Sequence, residues 1–383
     1  MPIIQGGATL TGGAVYDPPP PYVAPKLLVM GNSLFDDTNP TTSNSGIVYT
    51  TDTSGANQSS FVSTDISSSD QFGKSVTVFG DYILVGAVNK KAAYLFDKSG
   101  NQLLKIAGPN GTGSNTSFGI CVGMNANYLF VGDRNIDSKG AIYRYAYDGS
   151  GVTKIQWGSN TTQFGETFAV SENYVVIGLK NDSMAYVYTI NGGSLNQLGP
   201  ISSPGQFSYG ASVAISESLG KFAVGDPSYL YMQSPSFVFK GQVHIHDIAG
   251  SNDYLLRPSD TGGSCGSSVD FNSTRLFAGA NTRWNGVATQ GGAYSWEIGS
   301  TSGTNQNVIT PSGLPAGDRP QFGSEIRATD DKLAVGARTA EYPSTSTQSG
   351  GVYLMDLDGA NQTLVTPQNA TASIGELHTM DLG

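Results

Sequence analysis

Two aspartates at matching positions are the first candidates for acid–base chemistry. Asp133 and Asp226 each follow an apolar run that ends in glycine, and a glycosidase needs two carboxylates that converge on one bond. The repeats described below place these residues in the third and fifth of seven units, which are not neighbours, and the other units carry Ala, Asn or Leu there. We therefore interpret both aspartates as acceptors of backbone N–H groups at strand ends.

The three histidines are the candidates for metal binding. His244 and His246 form an H-x-H pair on one face of a strand, and His378 belongs to a unit that is not adjacent. A zinc site needs three or four ligands. We expect no metal and a packing role for His244, because it stands where the other six units have tyrosine: Tyr49, Tyr94, Tyr143, Tyr186, Tyr294 and Tyr353.

Nucleophilic chemistry has no recognisable motif. No G-x-S-x-G stretch stands between a strand and a helix. The two cysteines, Cys121 and Cys265, lie three units apart, which is too far for a disulfide in the fold proposed below. We expect both to be free, buried thiols.

A repeated pair of glycines organises the chain. Each unit has an aromatic–Gly pair, an apolar run that ends in a second glycine, and a Gly-x-apolar-Tyr segment. The first glycines are Gly73, Gly119, Gly165, Gly210, Gly266, Gly323 and Gly375. The second glycines are Gly31, Gly86, Gly132, Gly178, Gly225, Gly279 and Gly336. Self-similarity at this period is typical of a repeat architecture.

One unit is divided between the two ends of the chain. Gly375 begins its first strand and Leu27 to Gly31 supplies the next, as in a ring cut at one hairpin turn. Units hold four short apolar runs separated by turn residues, and no segment has a helical period. We predict an all-β fold, a seven-bladed β-propeller of four-stranded antiparallel blades over residues 27–383. The C-terminal strand completes the first blade, and an extended N-terminal arm covers residues 1–26.

Composition restricts the partners. The chain has 20 Lys+Arg and 30 Asp+Glu, a net charge of −10, which argues against binding to nucleic acid or to an anionic membrane. No apolar stretch reaches the roughly 18 residues that predict a transmembrane helix. The N-terminus lacks the basic and apolar regions of a signal peptide. We expect no membrane insertion and no cofactor.

The glycine pairs carry a family resemblance. Phe72-Gly73 with Val85-Gly86-Ala87, Phe164-Gly165 with Ile177-Gly178, and Phe322-Gly323 with Val335-Gly336-Ala337 resemble FG-GAP repeats. The resemblance runs from about Leu27 to the end. It implies the seven-bladed propeller of integrin α-subunits and of marine bacterial and bacteriophage surface or tail proteins.

Two motifs of such propellers are missing from this sequence. Integrin-type repeats bind calcium through a D-x-D-x-D-G loop. The nearest match here, at Asp133, Asn135, Asp137 and Gly140, lacks the glycine spacing and the final Glu, so we expect a solvated turn. Sialidase-like propellers carry S-x-D-x-G-x-x-W boxes, and this sequence has none.

The loop after the second glycine varies most between units. It holds 14, 4, 7, 4, 15, 11 and 13 residues in units one to seven, so the long loops belong to neighbouring units five, six, seven and one. Such loops either pack against one another over the channel mouth or form a docking surface, and their contiguity favours docking. The partner-facing candidates, of residue types enriched at interfaces, are Phe35, Tyr229, Tyr231, Met232, Phe237, Arg283, Trp284 and Tyr342.

The N-terminal arm is a second candidate contact. Its proline run favours an extended polyproline conformation and cannot join a central strand. The arm either lies across a neighbouring subunit or is disordered, and we favour a tether to a larger assembly. The residues concerned are Tyr16, Pro18, Pro19, Pro20, Pro21 and Tyr22.

These patterns favour a non-enzymatic structural or interaction protein. We expect a bacteriophage virion component, in a tail or fibre, that docks other virion subunits and a host surface receptor. One alternative is a bacterial or algal cell-surface adhesion module that binds protein or glycan, located at the cell surface or outside the cell. Another is a propeller-type polysaccharide hydrolase, which needs acidic residues at a channel mouth that no motif in the sequence supplies.

Overall fold

The structure is a computed structural model. It describes residues 26–34, 44–109, 116–156, 163–191, 194–202, 208–233, 236–248, 253–260, 263–283, 290–313, 320–339, 350–366 and 379–382. Across these ranges the chain forms strands, one short 3₁₀ turn (Ile136–Ser138) and no α-helix. None of the described segments is a helix long and apolar enough to cross a membrane.

The strands of the first half supply three strands of blade 1, all of blades 2 and 3, and two strands of blade 4. In chain order they are β1 (Leu27–Asn32), β2 (Ile47–Asp52), β3 (Ser59–Phe61), β4 (Phe72–Phe79), β5 (Tyr82–Ala87), β6 (Ala92–Asp97), β7 (Gln102–Ala107), β8 (Phe118–Met124), β9 (Leu129–Asp133), β10 (Ala141–Tyr145), β11 (Thr153–Ile155), β12 (Thr167–Val170) and β13 (Tyr174–Leu179).

The second half completes the set. Its strands are β14 (Met184–Asn191), β15 (Ser194–Ser202), β16 (Ser212–Ser216), β17 (Lys221–Asp226), β18 (Leu230–Gln233), β19 (Ser236–Phe239), β20 (Gln242–Asp247), β21 (Tyr254–Leu256), β22 (Val269–Phe271), β23 (Arg275–Gly279), β24 (Ala293–Ile298), β25 (Gly303–Ile309), β26 (Phe322–Ala328), β27 (Leu333–Ala337), β28 (Gly351–Met355), β29 (Thr363–Val365) and β30 (Thr379–Leu382).

Seven four-stranded antiparallel sheets are the blades. From the innermost strand outward, blade 1 is β30-β1-β2-β3, blade 2 is β4 to β7, blade 3 is β8 to β11, and blade 4 is β12 to β15. Blade 5 is β16-β17-β20-β21, blade 6 is β22 to β25, and blade 7 is β26 to β29. Neighbouring innermost strands contact one another around the ring, including β26 with β30 and β30 with β4. The predicted seven-bladed propeller, closed by the C-terminal strand, is confirmed.

The register of β30 corrects the repeat assignment in blade 1. In blade 2, Ser75, two residues after the first glycine, pairs with the second glycine, Gly86. In blade 1 the residue that pairs with Gly31 is Thr379, so the unit is shifted by two residues from the one counted from Gly375, which lies outside the described residues. The unit counted from Gly375 was therefore misplaced by two residues.

The second glycine of one repeat meets the first glycine of the next repeat across a blade boundary. Gly119 has a φ of +91°, and a Cβ on Gly86 would lie 2.1 Å from the Gly119 carbonyl oxygen. The same close approach joins Gly132 to Gly165, Gly178 to Gly210, Gly225 to Gly266, and Gly279 to Gly323. The second strand of each of these blades therefore ends where the next innermost strand begins. The face of the ring where second strands end and innermost strands begin is called here the long-loop face. The opposite face, which carries the turns from the innermost strand to the second strand, is the short-turn face.

Aromatic pairs fill the space between the first and third strands. Phe72 packs against Tyr94 at 5.7 Å between ring centroids, and blades 3, 4 and 7 have equivalent Phe–Tyr pairs. In blade 5 the pair is Tyr209 and His244, edge to face at 4.8 Å. The packing role predicted for His244 is confirmed.

Candidate functional site

The long loops of blades 5, 6, 7 and 1 leave neighbouring blades at the long-loop face. The innermost strands of these blades contact one another in the order β16, β22, β26 and β30. The predicted contiguity of the long loops is therefore present in the ring.

The loop of blade 5 contains a structure that the sequence analysis missed. Strands β18 and β19 pair in a two-stranded sheet separate from the blades, with Leu230 opposite Phe239 and Met232 opposite Phe237. The predicted contact residues Tyr231, Met232 and Phe237 all belong to this hairpin. Two short apolar runs, Leu230 to Met232 and Phe237 to Phe239, flank the polar and proline residues 233–236. This pattern was the sequence signal that could have revealed the hairpin.

A polar network anchors the base of the hairpin to blade 5. The guanidinium of Arg257 lies 5.1 Å from the ring centroid of Tyr229, and its Nε donates to Gln242 Oε1 at 2.9 Å. Gln242 Nε2 in turn donates to Oδ2 of the buried Asp226 at 3.2 Å. The backbone oxygen of Tyr229 accepts the N–H of Lys240 at 3.2 Å. These contacts fix the residues at the start and end of the hairpin to blade 5.

Arg283 has a different environment from the one predicted. Its Nη2 pairs with Asp260 Oδ2 at 2.8 Å, and the Tyr294 hydroxyl donates to Asp260 Oδ1 at 2.6 Å. The partly buried guanidinium of Arg283 therefore connects the loop of blade 6 to Asp260, which precedes the first strand of that blade, β22. For Arg283 the structure favours packing between loops, the alternative that the sequence left open.

Several predicted contact residues lie outside the described residues. They are Phe35, Trp284 and Tyr342 of the loop arc, and Tyr16, Pro18, Pro19, Pro20, Pro21 and Tyr22 of the arm. The point where the arm joins the ring is described. Lys26 forms an ion pair with Asp331, in the turn between β26 and β27. That turn is on the short-turn face, so Lys26 lies on the face opposite to the one where the long loops begin.

The residues of the calcium-like loop do not converge. The Asp133 carboxylate accepts the backbone N–H of Ser117 at 2.7 Å, as predicted for a strand-end aspartate. Asp137 pairs with Lys154. The two carboxylates thus have separate partners within the protein.

Blade 5 holds a buried histidine contact. The Tyr209 hydroxyl and His246 Nε2 are 2.9 Å apart, and His246 Nδ1 lies 2.9 Å from Asp253 Oδ1. Burial lowers the pKa of His246 below its ordinary value, although Asp253 opposes this effect. Tyr209 is fully buried, so these residues hold blade 5 together from within.

The seven innermost strands line a central channel with cavities of about 190 and 300 Å³. Each strand contributes a residue at the same position, four after the first glycine or its blade 1 equivalent. These residues are Thr77, Gly123, Ala169, Ala214, Asp270, Arg327 and Asp381. The residue at this position is glycine or alanine in blades 3 to 5 and is charged in blades 6, 7 and 1.

The charged side of the channel was not predicted. Arg327 Nη2 pairs with Glu325 Oε1 at 3.0 Å, and Arg327 Nε lies 3.5 Å from Asp381 Oδ1. Burial alone lowers the pKa of Arg327, but the neighbouring carboxylates of Glu325, Asp381 and Asp270 raise it above its ordinary value. Burial raises the pKa of Asp270 to about 6.

No motif in the sequence supplies acidic residues at a channel mouth, whereas the structure places Asp270, Glu325 and Asp381 in the channel lining. Aligning the units could have shown the charges in blades 6 and 7, but the two-residue error in blade 1 concealed Asp381. The carboxylates of Glu325 and Asp381 are engaged with Arg327, and Asp270 and Asp381 also accept backbone N–H groups. This arrangement joins blades to one another.

The two cysteines are free. Cys265 is fully buried, and Cys121 lies on the channel side, partly buried. Burial raises the pKa of the Cys121 thiol to about 11. Both are therefore poor nucleophiles in the folded protein.

Comparison with known proteins agrees with the fold. The profile of the FG-GAP repeat family matches residues 56–102, which run from before β3 of blade 1 through β4, β5 and β6 of blade 2 to the first residue of β7. No curated protein sequence matches the chain. Hydrazine synthase from Kuenenia stuttgartiensis is similar in structure, with a TM-score of 0.51, 11% identity, and coverage of 74% of this chain and 76% of that chain. A nidogen/laminin complex aligns with a TM-score of 0.47, 12% identity, and coverage of 79% and 98%.

At these identities the structural similarity concerns the fold alone. The profile match and the repeated glycine contacts between blades lead to the same conclusion. The chain is a seven-bladed β-propeller in which residues 56–102 match the FG-GAP repeat family.

Proposed function

We propose that this chain is a non-enzymatic structural protein that docks other proteins through its long-loop face. More specifically, we propose that the chain is a component of a bacteriophage virion, in its tail or a tail fibre. The long loops then contact another virion subunit or a host surface receptor.

The β18–β19 hairpin is the observation that carries the proposal. Six of its eight strand residues are apolar or aromatic: Leu230, Tyr231, Met232, Phe237, Val238 and Phe239. An isolated two-stranded hairpin is only marginally stable in water, so a ribbon of this composition gains stability from apolar contact with another surface. Leu230, at the start of the ribbon, is 37% exposed. A protein surface with apolar character is the partner that such a ribbon fits.

The base of the hairpin supports the same use. The Asp226–Gln242–Arg257 network holds the ribbon on a buried strand of blade 5. A preorganised contact element loses less conformational entropy on binding. This rigid attachment favours docking over a loop that closes on the channel.

The positions of the arm and the loops support a role inside an assembly. Lys26 is fixed to Asp331 on the short-turn face, whereas the hairpin extends from the long-loop face. A subunit with contact elements on opposite faces can join two neighbours. The low charged fraction of 13% and the net charge of −10 fit a surface that contacts protein rather than nucleic acid.

A photo-crosslinking experiment tests the proposal. A photoreactive amino acid replaces Met232 in the hairpin, and the control places it at Leu103, which is 52% exposed on the outer strand of blade 2. We expect Met232 in purified particles to crosslink to a different virion protein and Leu103 to give little product. The proposal is overturned if the chain fractionates with the cell envelope and not with particles, or if both positions crosslink equally.

A further inference from the structure

Blade 1 differs from the other blades in how its innermost strand is connected. In blade 2 a two-residue turn, Gly80–Asp81, joins β4 to β5. In blade 1 the innermost strand β30 pairs with β1, but the two strands are separated by almost the whole sequence. Non-covalent contacts alone therefore hold this strand against β1.

Asp381 makes contacts to the blades on both sides of β30. Its Oδ2 accepts the Thr77 hydroxyl at 2.8 Å and the Val78 backbone N–H at 2.9 Å, both in blade 2. Its Oδ1 lies 3.5 Å from Arg327 Nε in blade 7. One carboxylate thus spans the closure of the ring.

The contacts continue into blade 6. Asp270 Oδ2 accepts the backbone N–H of Ala328 in blade 7 at 2.8 Å, and Arg327 is further paired with Glu325 at 3.0 Å. Polar contacts therefore run from blade 6 through blades 7 and 1 to blade 2. Charge-assisted hydrogen bonds of this kind are stronger than those between neutral groups.

We infer that the side-chain contacts of Asp381 hold β30 in the ring. Release of this strand is then a local unfolding event, separate from global unfolding. The contacts of Asp381 replace the covalent hairpin turn that the other blades have. When the contacts of the Asp381 carboxylate are lost, β30 separates from β1. The backbone amides on the inner edge of β1 then exchange their hydrogens with solvent.

Amide hydrogen exchange of the full chain, read by mass spectrometry, tests the inference. Asp270→Ala is the matched control for Asp381→Ala, because both residues occupy the same position and both accept a backbone N–H from the next blade. We expect Asp381→Ala to accelerate exchange in residues 379–382 and 27–32 at least tenfold, with little change in β22 and β23. Asp270→Ala leaves residues 379–382 and 27–32 unchanged.

A milder variant covers the case in which Asp381→Ala does not fold. Thr77→Val removes only the hydroxyl donor, and we expect about threefold faster exchange in residues 379–382. The inference is overturned if Asp381→Ala or Thr77→Val leaves exchange in residues 379–382 unchanged. Equal acceleration by Asp270→Ala and Asp381→Ala also overturns it, because the effect is then one of general stability.

Discussion

Asp270 and Asp381 hold the same position in the innermost strands of blades 6 and 1, and each accepts a backbone N–H from the next blade. The donors, Ala328 and Val78, also occupy equivalent positions, at 2.8 and 2.9 Å. The channel edge of an innermost strand has no further strand to pair with, so its N–H groups need other acceptors. An aspartate from the neighbouring blade supplies one.

The raised pKa of Asp270 predicts a pH dependence of stability. Burial raises its pKa to about 6 from an ordinary 3.8, so the folded state binds more protons than the unfolded state between these values. The stabilisation by the protonated form is complete below pH 4 and is lost as the pH rises through 6. At about 1.4 kcal/mol per pKa unit, the loss is at most about 3 kcal/mol.

Asp270→Asn, which keeps an oxygen acceptor for the Ala328 N–H, measures this effect. We expect the variant to gain stability relative to the parent as the pH rises from 4 to 7, in urea unfolding at each pH. Parallel stability curves for the two proteins would contradict the assignment.

Replacing Gly86 by alanine should damage the ring. A Cβ there would lie 2.1 Å from the Gly119 carbonyl oxygen, a backbone atom, so the backbone at this blade boundary would have to shift. We expect a loss of about 3 kcal/mol or more in thermal or urea unfolding. Gly80→Ala is the control, since no atom lies within 4 Å of its Cβ position and its positive φ costs about 1 kcal/mol. Similar losses for both variants would refute the close-approach explanation.

Serine hydroxyls that cross blade boundaries should contribute independently. Ser75 Oγ donates to the Gly119 carbonyl at 3.0 Å, and Ser212 Oγ donates to Gly266 at 2.8 Å. We expect each Ser→Ala variant to lose about 1 kcal/mol, and the double variant to lose the sum, because the two pairs share no partner. A double-variant loss far from the sum would show coupling between these blade boundaries.

The two thiols should be protected in the folded protein. Burial raises the pKa of Cys121 to about 11 and that of Cys265 further. At pH 8 we expect slow labelling of both by a thiol reagent, and rapid labelling in urea. Fast labelling of Cys121 in the native protein would mean that the channel exposes its thiolate.

Much of the fold was predictable from the sequence because its glycines have a local steric cause. Gly86 and Gly119 must approach closely, so the pattern recurs in blade after blade. The repeat also predicted the packing role of His244. Blade 1 was misregistered by two residues because its first two strands, β30 and β1, are far apart in the sequence, and only their pairing places Thr379 opposite Gly31.

The candidate site was less predictable, since its features depend on which blades are neighbours. The sequence placed the long loops together but did not predict the hairpin. Arg283 looked available from its residue type, yet it pairs with Asp260 across a loop boundary. Arg327 and Asp381 come within ion-pair distance only because β30 lies next to β26 in the closed ring.

The most direct test of the proposed function is the structure of this chain in its native assembly at side-chain resolution. We predict that a different polypeptide covers the β18–β19 hairpin on the long-loop face. An assembly in which this face is open to solvent, or a chain that exists only as a free monomer, would contradict the proposal.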